Sequence, residues 1–312
     1  MIDKFVKYYS SVQNKNKIFA SLRLYSLLRF CIRFIANIVL PVYFFFTRSR
    51  IRYSLISIHK AKRVIVSLTS FPARINRLWL VIESLLRQTQ KPDRIILYLS
   101  SVQFPNENSL PKLLLKQKKR GLEIRFVDGD YRSHKKYLYS LTDFPEDILL
   151  TIDDDIFYRS TMIENLYNTS LLYPSTVIAH YCKQIVWNED QELMQYNTWP
   201  LLEEEKEAGL DVFFGSGGGV LFPPHTLHSD VFNMELFNSL CPTADDIWLY
   251  VMCRLNNTKI KNIPGTSVFL PVLNWNNANL FSANNGLNQN DIQIQNTRNY
   301  YQKSDPFKRP SN

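Results

Sequence analysis

Asp147-Ile148-Leu149-Leu150-Thr151-Ile152-Asp153-Asp154-Asp155-Ile156-Phe157-Tyr158 is the stretch on which the reading of this chain turns. Ile148, Leu149, Leu150 and Ile152 form a near-continuous apolar run, the pattern of a short strand covered on both faces. The run leads straight into three carboxylates. Packing does not call for three acids there, because they repel one another and each raises its neighbours' pKa. A hard divalent cation relieves that repulsion. Carboxylate oxygens suit Mg²⁺ or Mn²⁺, ions usually shared with substrate phosphates. Asp153 and Asp155 are two residues apart, so in an extended chain they point the same way. On this stretch alone a solvated loop after a strand stays open as the plain alternative.

Upstream, Val64–Ser70 reads as a strand ending in hydroxyls, and Phe71-Pro72-Ala73-Arg74 as a turn. A helix follows with Leu78, Val81, Ile82, Leu85 and Leu86 on its apolar stripe, then a strand over Arg94–Ser100. This βαβ unit implies an at least partly parallel sheet. Leu110–Lys119 reads as a second helix and Leu122–Val127 as a third strand, ending in Asp128-Gly129-Asp130. Lys135 and Lys136 open the next helix. Three polar strand ends, Ser67–Ser70, Asp128–Asp130 and Asp153–Asp155, are therefore expected on one sheet edge, where such sheets bind ligands. No GxGxxG and no GxxxxGK[ST] is present.

Downstream, Ile163–Leu172 reads as a helix and Thr176–His180 as a strand. Residues 183–211 read as polar and irregular, with Trp187, Tyr196 and Trp199. Between Phe213 and Pro224, Gly215 and Gly217–Gly219 supply four of the chain's nine glycines. They suit close approach of a ligand to backbone, or a hairpin or bulge between two strands. Thr243–Met252 reads as a helix start with Asp245 and Asp246 in its first turn, where the dipole favours acids. Capping explains one acid more readily than two. The tail from Asn274 reads as loops.

The net charge of +9 over 312 residues is unevenly placed. Residues 1–63 hold thirteen Lys and Arg against one acid, Asp3, a balance of +12, and the rest carries −3. A nucleic-acid-binding enzyme would spread basic residues through its body, so that class is set aside. A basic apolar tail suits an anionic membrane surface. Residues 18–40 read as an amphipathic helix, with Arg23, Ser26, Arg29, Arg33 and Asn37 on one side and Pro41 ending or kinking it. The uncharged run from Phe34 to Phe46 has 13 residues, short of the ~20 of a span. A helix lying in the membrane interface is the simplest account, beside packing on the protein's own body or a single span. The four cysteines show no CxxC or metal-type spacing, which fits a reducing compartment.

In order, VIVSLTSFPARI (64–75), LLRQTQKPDRIILYLS (85–100), DGDYRSHKK (128–136), DILLTIDDDIFY (147–158), FFGSGGGVLFPP (213–224) and ADDIW (244–248) together resemble the bacterial GT-A glycosyltransferases, family-2-like, of surface polysaccharide biosynthesis. The resemblance covers residues 62–275. It implies an α/β fold of GT-A type, a Rossmann-like, mixed but mainly parallel sheet flanked by helices, which the N-terminal amphipathic helical segment read above precedes. The division is residues 1–60 for the basic membrane-associating segment and 61–312 for the transferase domain. It implies a nucleotide-sugar donor, UDP first, a glycan or lipid-linked acceptor, and Mn²⁺ or Mg²⁺. By position, Asp155 and Asp153 would hold the metal. Thr69, Pro72, Arg74, Asp128, Asp130, Lys136, Asp153 and Asp154 would line the nucleotide-sugar. Asp245 or Asp246 would be the catalytic base, with Gly217, Gly218, Trp199 and Trp248 toward sugar and acceptor. The family's late metal- or diphosphate-binding histidine has no counterpart after His228.

The expected setting is the cytoplasmic face of the cell membrane, peripherally bound through residues 17–52; a cytoplasmic or single-pass protein is the alternative. Rival readings are a membrane-attached scaffold with a degenerate transferase fold and a haloacid-dehalogenase-type phosphatase. The latter would carry its DxD on the first strand of the domain.

Overall fold

The computed structural model describes residues 1–12, 24–47, 62–265, 268–273 and 288–310. Its helices are α1 (Ile2–Ser11), α2 (Leu24–Thr47), α3 (Leu78–Leu86), α4 (Lys112–Lys118), α5 (Lys135–Asp143), α6 (Met162–Leu172), α7 (Met234–Leu240), α8 (Asp245–Leu255) and α9 (Gln289–Tyr300). Its strands are β1 (Val64–Thr69), β2 (Arg94–Ser100), β3 (Leu122–Val127), β4 (Ile148–Thr151), β5 (Ile156–Phe157), β6 (Val177–Ala179), β7 (Cys182–Gln184), β8 (Val212–Phe214), β9 (Val220–Phe222), β10 (Ile260–Asn262) and β11 (Leu270–Pro271).

The central sheet runs β10-β6-β9-β4-β1-β2-β3. β3, β2, β1 and β4 are parallel, and β10 is parallel to β6. Only β9 runs antiparallel, between β4 and β6. The mixed, mainly parallel α/β sheet expected from the sequence is the one observed. Its apolar strands are buried because helices cover both faces. Val64, Val66 and Leu68 of β1 join a layer with Leu85 of α3, Leu114 of α4 and Ile163 of α6. On the other face Tyr137 of α5, Trp248 of α8 and Phe213 of β8 form a second layer. Alternation along the strands divides their side chains between the layers.

The N-terminal segment differs from its expected form. α1 packs on α2 with Ile2 and Val6 buried. The Asp3 carboxylate accepts hydrogen bonds from Ser160 N (2.8 Å) and Ser160 Oγ (2.7 Å). α2 does not stop at Pro41 but continues to Thr47. Proline has no N–H for the carbonyl one turn back, and here that carbonyl, Asn37 O, accepts from Arg77 Nη2 at 3.3 Å instead. Residues 18–23 of the expected helix, and Arg48, Arg50 and Arg52, lie outside the described residues. The tail is not all loop either: α9 follows residues 274–287, which lie outside the described residues. Its buried positions include Asn290, Gln293 and Thr297, so no apolar stripe announces it.

Candidate active site

The C-terminal ends of the four parallel strands share one edge. β4 lies beside β1, while β3 is two strands further out. Beyond Thr151 the chain leaves the sheet, and Asp153–Asp155 form a turn before β5. Asp153 Oδ1 accepts from Lys136 Nζ (2.9 Å), and Oδ2 accepts from Ser216 Oγ (3.3 Å). Its backbone N–H donates to the buried Tyr158 hydroxyl (2.8 Å). Asp155 pairs with Arg74 Nη1 at 3.0 Å, and its carbonyl accepts from Val272 N at 2.7 Å. Burial pushes the Asp155 carboxyl up to about 7, with Asp154 and Asp153 adding to it and Arg74 opposing.

Asp154 faces the other way, into the protein. It accepts from Ser70 Oγ (2.6 Å) and Arg74 Nη1 (2.6 Å) and is buried. Unlike the partly exposed Asp153 and Asp155, it lies beneath the surface between Ser70 and Arg74, away from the place where it was expected to meet nucleotide. Its part is to fix Arg74 and the loop after β1. Thr69 donates its hydroxyl to Tyr98 O (2.8 Å), and Pro72 is exposed in the turn that follows. Asp128 accepts from Ser101 Oγ (3.2 Å). Asp130 accepts from Gln103 Nε2 (2.7 Å) and pairs with Lys135. Asp128 and Asp130 are exposed at the far end of the edge.

No group of three or more His, Cys, Asp or Glu side chains stands ready for a metal among the described residues. What Asp153 and Asp155 offer is two neighbouring carboxylates. That donor set fits a Mg²⁺-like ion that completes its shell with diphosphate and water rather than an all-protein cage.

Lys136 joins this cluster to the start of α8. Its ammonium is almost fully buried, 2.9 Å from Asp153 Oδ1 and 2.8 Å from Asp245 Oδ2. Burial opposes the charge, but the two carboxylates hold Lys136 above the ordinary lysine range. Burial likewise works against Asp245, and Lys136 still keeps it below the usual carboxylate range. Asp246 differs. It remains partly exposed, and burial, then the adjacent Asp245, pushes it up to about 7. Its charge is felt by Tyr181 and Lys183, and the charge of Asp153 acts on it in turn. The two acids that the sequence left equivalent are thereby separated into a locked one and a titratable one. Gln293 of α9 braces the turn before them: its Oε1 accepts from Thr243 N (3.1 Å) and Ala244 N (3.2 Å).

Trp199 and Trp248 are not sugar platforms. Trp199 is buried against Phe213 and Phe307 and donates to Met194 O at 2.9 Å. Trp248 is fully buried beside Phe237. Their faces are covered by the protein's own rings. Gly217 and Gly218 also serve the fold. A Cβ at Gly218 would lie 2.7 Å from His180 Cβ and 2.9 Å from the Phe269 ring, and one at Gly217 would lie 3.2 Å from Phe269. The glycines admit protein side chains rather than ligand. Behind them is an apolar cavity of about 30 Å³ lined by Val6, Met162 and Phe269, too small for a nucleotide.

Sequence reasoning missed Ser216, Tyr181 and Gln293. Ser216 lay inside the glycine run. The partly exposed Tyr181 ring lies over Gly215, where a Cβ would be 2.7 Å from its Cδ1. The glycine signal therefore pointed to a close approach, but by Tyr181. Nothing local marked Gln293.

No protein-family model and no curated protein matches the chain. Among solved structures, the mannosyltransferase PcManGT from Pyrobaculum calidifontis, in complex with GDP-Man and Mn²⁺, is similar at TM-score 0.48 and 12% identity, over 86% of this chain and 74% of that one. CMP:2-keto-3-deoxy-manno-octonic acid synthetase, complexed with CTP, is similar at TM-score 0.40 and 10% identity, over 75% of this chain and 99% of that one.

Proposed function

We propose that the chain is a metal-dependent glycosyltransferase of the GT-A, family-2-like kind. It moves a sugar from a nucleoside-diphosphate donor, UDP being the first to test, to a surface-polysaccharide or lipid-linked glycan acceptor. The observation that carries this reading is the Lys136 bridge between Asp153 and Asp245. It draws the strand-end acids and an acid pair some 90 residues later into one site. A transferase needs that pairing of functions: charge control at the leaving diphosphate and a base at the acceptor.

In this reading Asp246 takes the proton of the acceptor hydroxyl as that oxygen bonds to the anomeric carbon and the bond to the diphosphate breaks. A carboxyl held near 7 suits a base working near neutral pH. Asp245 and Lys136 position it. Asp153 and Asp155 would hold Mg²⁺ or Mn²⁺, which when bound stabilises charge on the departing diphosphate. Ser216 and Lys136 orient Asp153, and Asp154 orients Arg74. Attack by a hydroxyl with a single base implies inversion. The phosphatase rival is disfavoured because the acids end the fourth strand of the domain, not the first. The basic apolar N-terminal segment suits peripheral attachment to the cytoplasmic membrane face, where a lipid-linked acceptor resides.

The test is release of nucleoside diphosphate from UDP-, GDP- and dTDP-sugars with Mn²⁺ and a glycolipid extract. Asp246→Asn should lower kcat by about 10²–10⁴-fold, the usual loss for a general base. The wild-type rate should fall as pH drops through about 7, because the base works ionised. An unchanged rate and profile in Asp246→Asn would remove it from the chemistry.

A further inference from the structure

α2 is 24 residues long, about 36 Å at 1.5 Å per residue, and its two sides meet different surroundings. Ala36, Asn37, Leu40 and Phe44 are buried against the body. On the other side Leu27, Leu28, Ile35, Ile38, Val42 and Phe46 are each half exposed or more. By length and composition the helix qualifies as a span, with a mean hydropathy of 1.8 over 18 residues. A span would have to release its body-facing side, and polar groups hold that side in place. Asn37 Nδ2 donates to Pro271 O (3.0 Å) and Arg33 O (2.9 Å), and its Oδ1 accepts from Leu273 N (2.8 Å). Arg87 donates to Thr47 Oγ1 (3.0 Å) and lies over the Phe44 ring, 4.7 Å from its centroid. Leaving these groups unpaired in hydrocarbon would cost several kcal/mol each.

We propose that α2 lies in the plane of an anionic bilayer surface as a fixed part of the folded body, with its outward apolar side among the acyl chains. Charge selects this occupant. Lys15, Lys17 and Arg23 precede the helix in sequence, and Arg48, Arg50 and Arg52 follow it. Residues 1–63 carry a balance of +12, so two copies meeting through this segment would repel, whereas anionic headgroups complement it. The helix is also coupled to the acid cluster. Asn37 grips the end of β11, β11 pairs with β5, and Val272 N donates to Asp155 O. The helix and the acids therefore hold opposite sides of one short ribbon, which fixes the site's height above the lipid. The inference deepens the membrane attachment proposed above and does not require the transfer reaction.

Cys31 is exposed on α2 and the other three cysteines are buried, so a thiol-reactive environment-sensitive fluorophore reports on this helix in the full chain. With vesicles containing phosphatidylglycerol the label should shift to the blue. Lipids brominated near the headgroup should quench it more than lipids brominated near the chain end. Alkaline carbonate should release the protein. Ile38→Glu and Val42→Glu should lower vesicle binding at least tenfold without changing the melting temperature. Stronger quenching by the deep bromine, with resistance to carbonate, would overturn the proposal in favour of a span. No blue shift, with self-association abolished by Ile38→Glu, would overturn it in favour of a second copy. A monomer that ignores vesicles would overturn it outright. Donor binding, followed separately by thermal shift, reports on the transferase reading whatever the vesicles show.

Discussion

Lys136 is buried, and a buried ammonium is tolerated only when paired. Its two carboxylate partners hold it, and through it each acid acquires a distinct part. Lys136→Met leaves Asp153 and Asp245 facing each other uncompensated. We expect a loss of about 3–5 kcal/mol, the usual result of breaking a buried pair from one side, read from denaturant midpoints. Asp246→Asn should move the other way. Its carboxyl is raised from 3.8 to about 7 on folding, so ionised Asp246 costs stability, and the cost grows as pH rises from near 4 through 7. The variant should melt above wild type at pH 8 and show no such gain at pH 4. Equal destabilisation by both changes would mean that the assigned pairings are wrong. Much of this was legible in the sequence, since three adjacent acids after an apolar strand have few structural uses. The inward side chain of Asp154 belongs to the turn the chain makes beyond β4, where Ser70 and Arg74 meet it, and no strand period marked that in the sequence. The tryptophans were misjudged because a large aromatic reads the same in sequence whether it fills a core or lines a cleft.

The three α/β repeats were legible element by element, because each apolar stripe or run keeps its period and ends at a breaker. α2 was harder. Proline normally interrupts a helix, and the carbonyl that Pro41 leaves unpaired, Asn37 O, is met by Arg77, a partner distant in sequence. α9 was illegible because polar groups hold it, Gln293 among them. α1 and α2 contribute Val6, Leu40 and Phe44 to the same core layer as β1 and α3, so they are part of the folded body. Deleting residues 1–55 uncovers that layer. The truncated chain should aggregate or melt well below the full chain, judged by size-exclusion chromatography and thermal circular dichroism in detergent-free buffer. A monodisperse truncated protein with an unchanged melting temperature would show that the helices are peripheral.

On the scale of the molecule, charge and topology act together. α2 is docked on the body beside β11, while the nearly neutral residues 64–312 carry the acids at the shared strand edge. Strand order was only partly legible. Parallel neighbours follow from βαβ connections, but the antiparallel insertion of β9 between β4 and β6 depends on contacts distant in sequence. The central claim is that Asp153 and Asp155 bind a nucleotide-sugar together with a divalent cation. It is tested most directly by thermal shift of the full chain across UDP-, GDP-, CMP- and dTDP-sugars, with and without Mn²⁺, beside Asp155→Asn. One nucleotide-sugar should stabilise only with metal, by about 2.7 kcal/mol at 100-fold excess over Kd, and Asp155→Asn should lose the effect. Stabilisation by no nucleotide at any metal concentration, or full retention in Asp155→Asn, would contradict the claim.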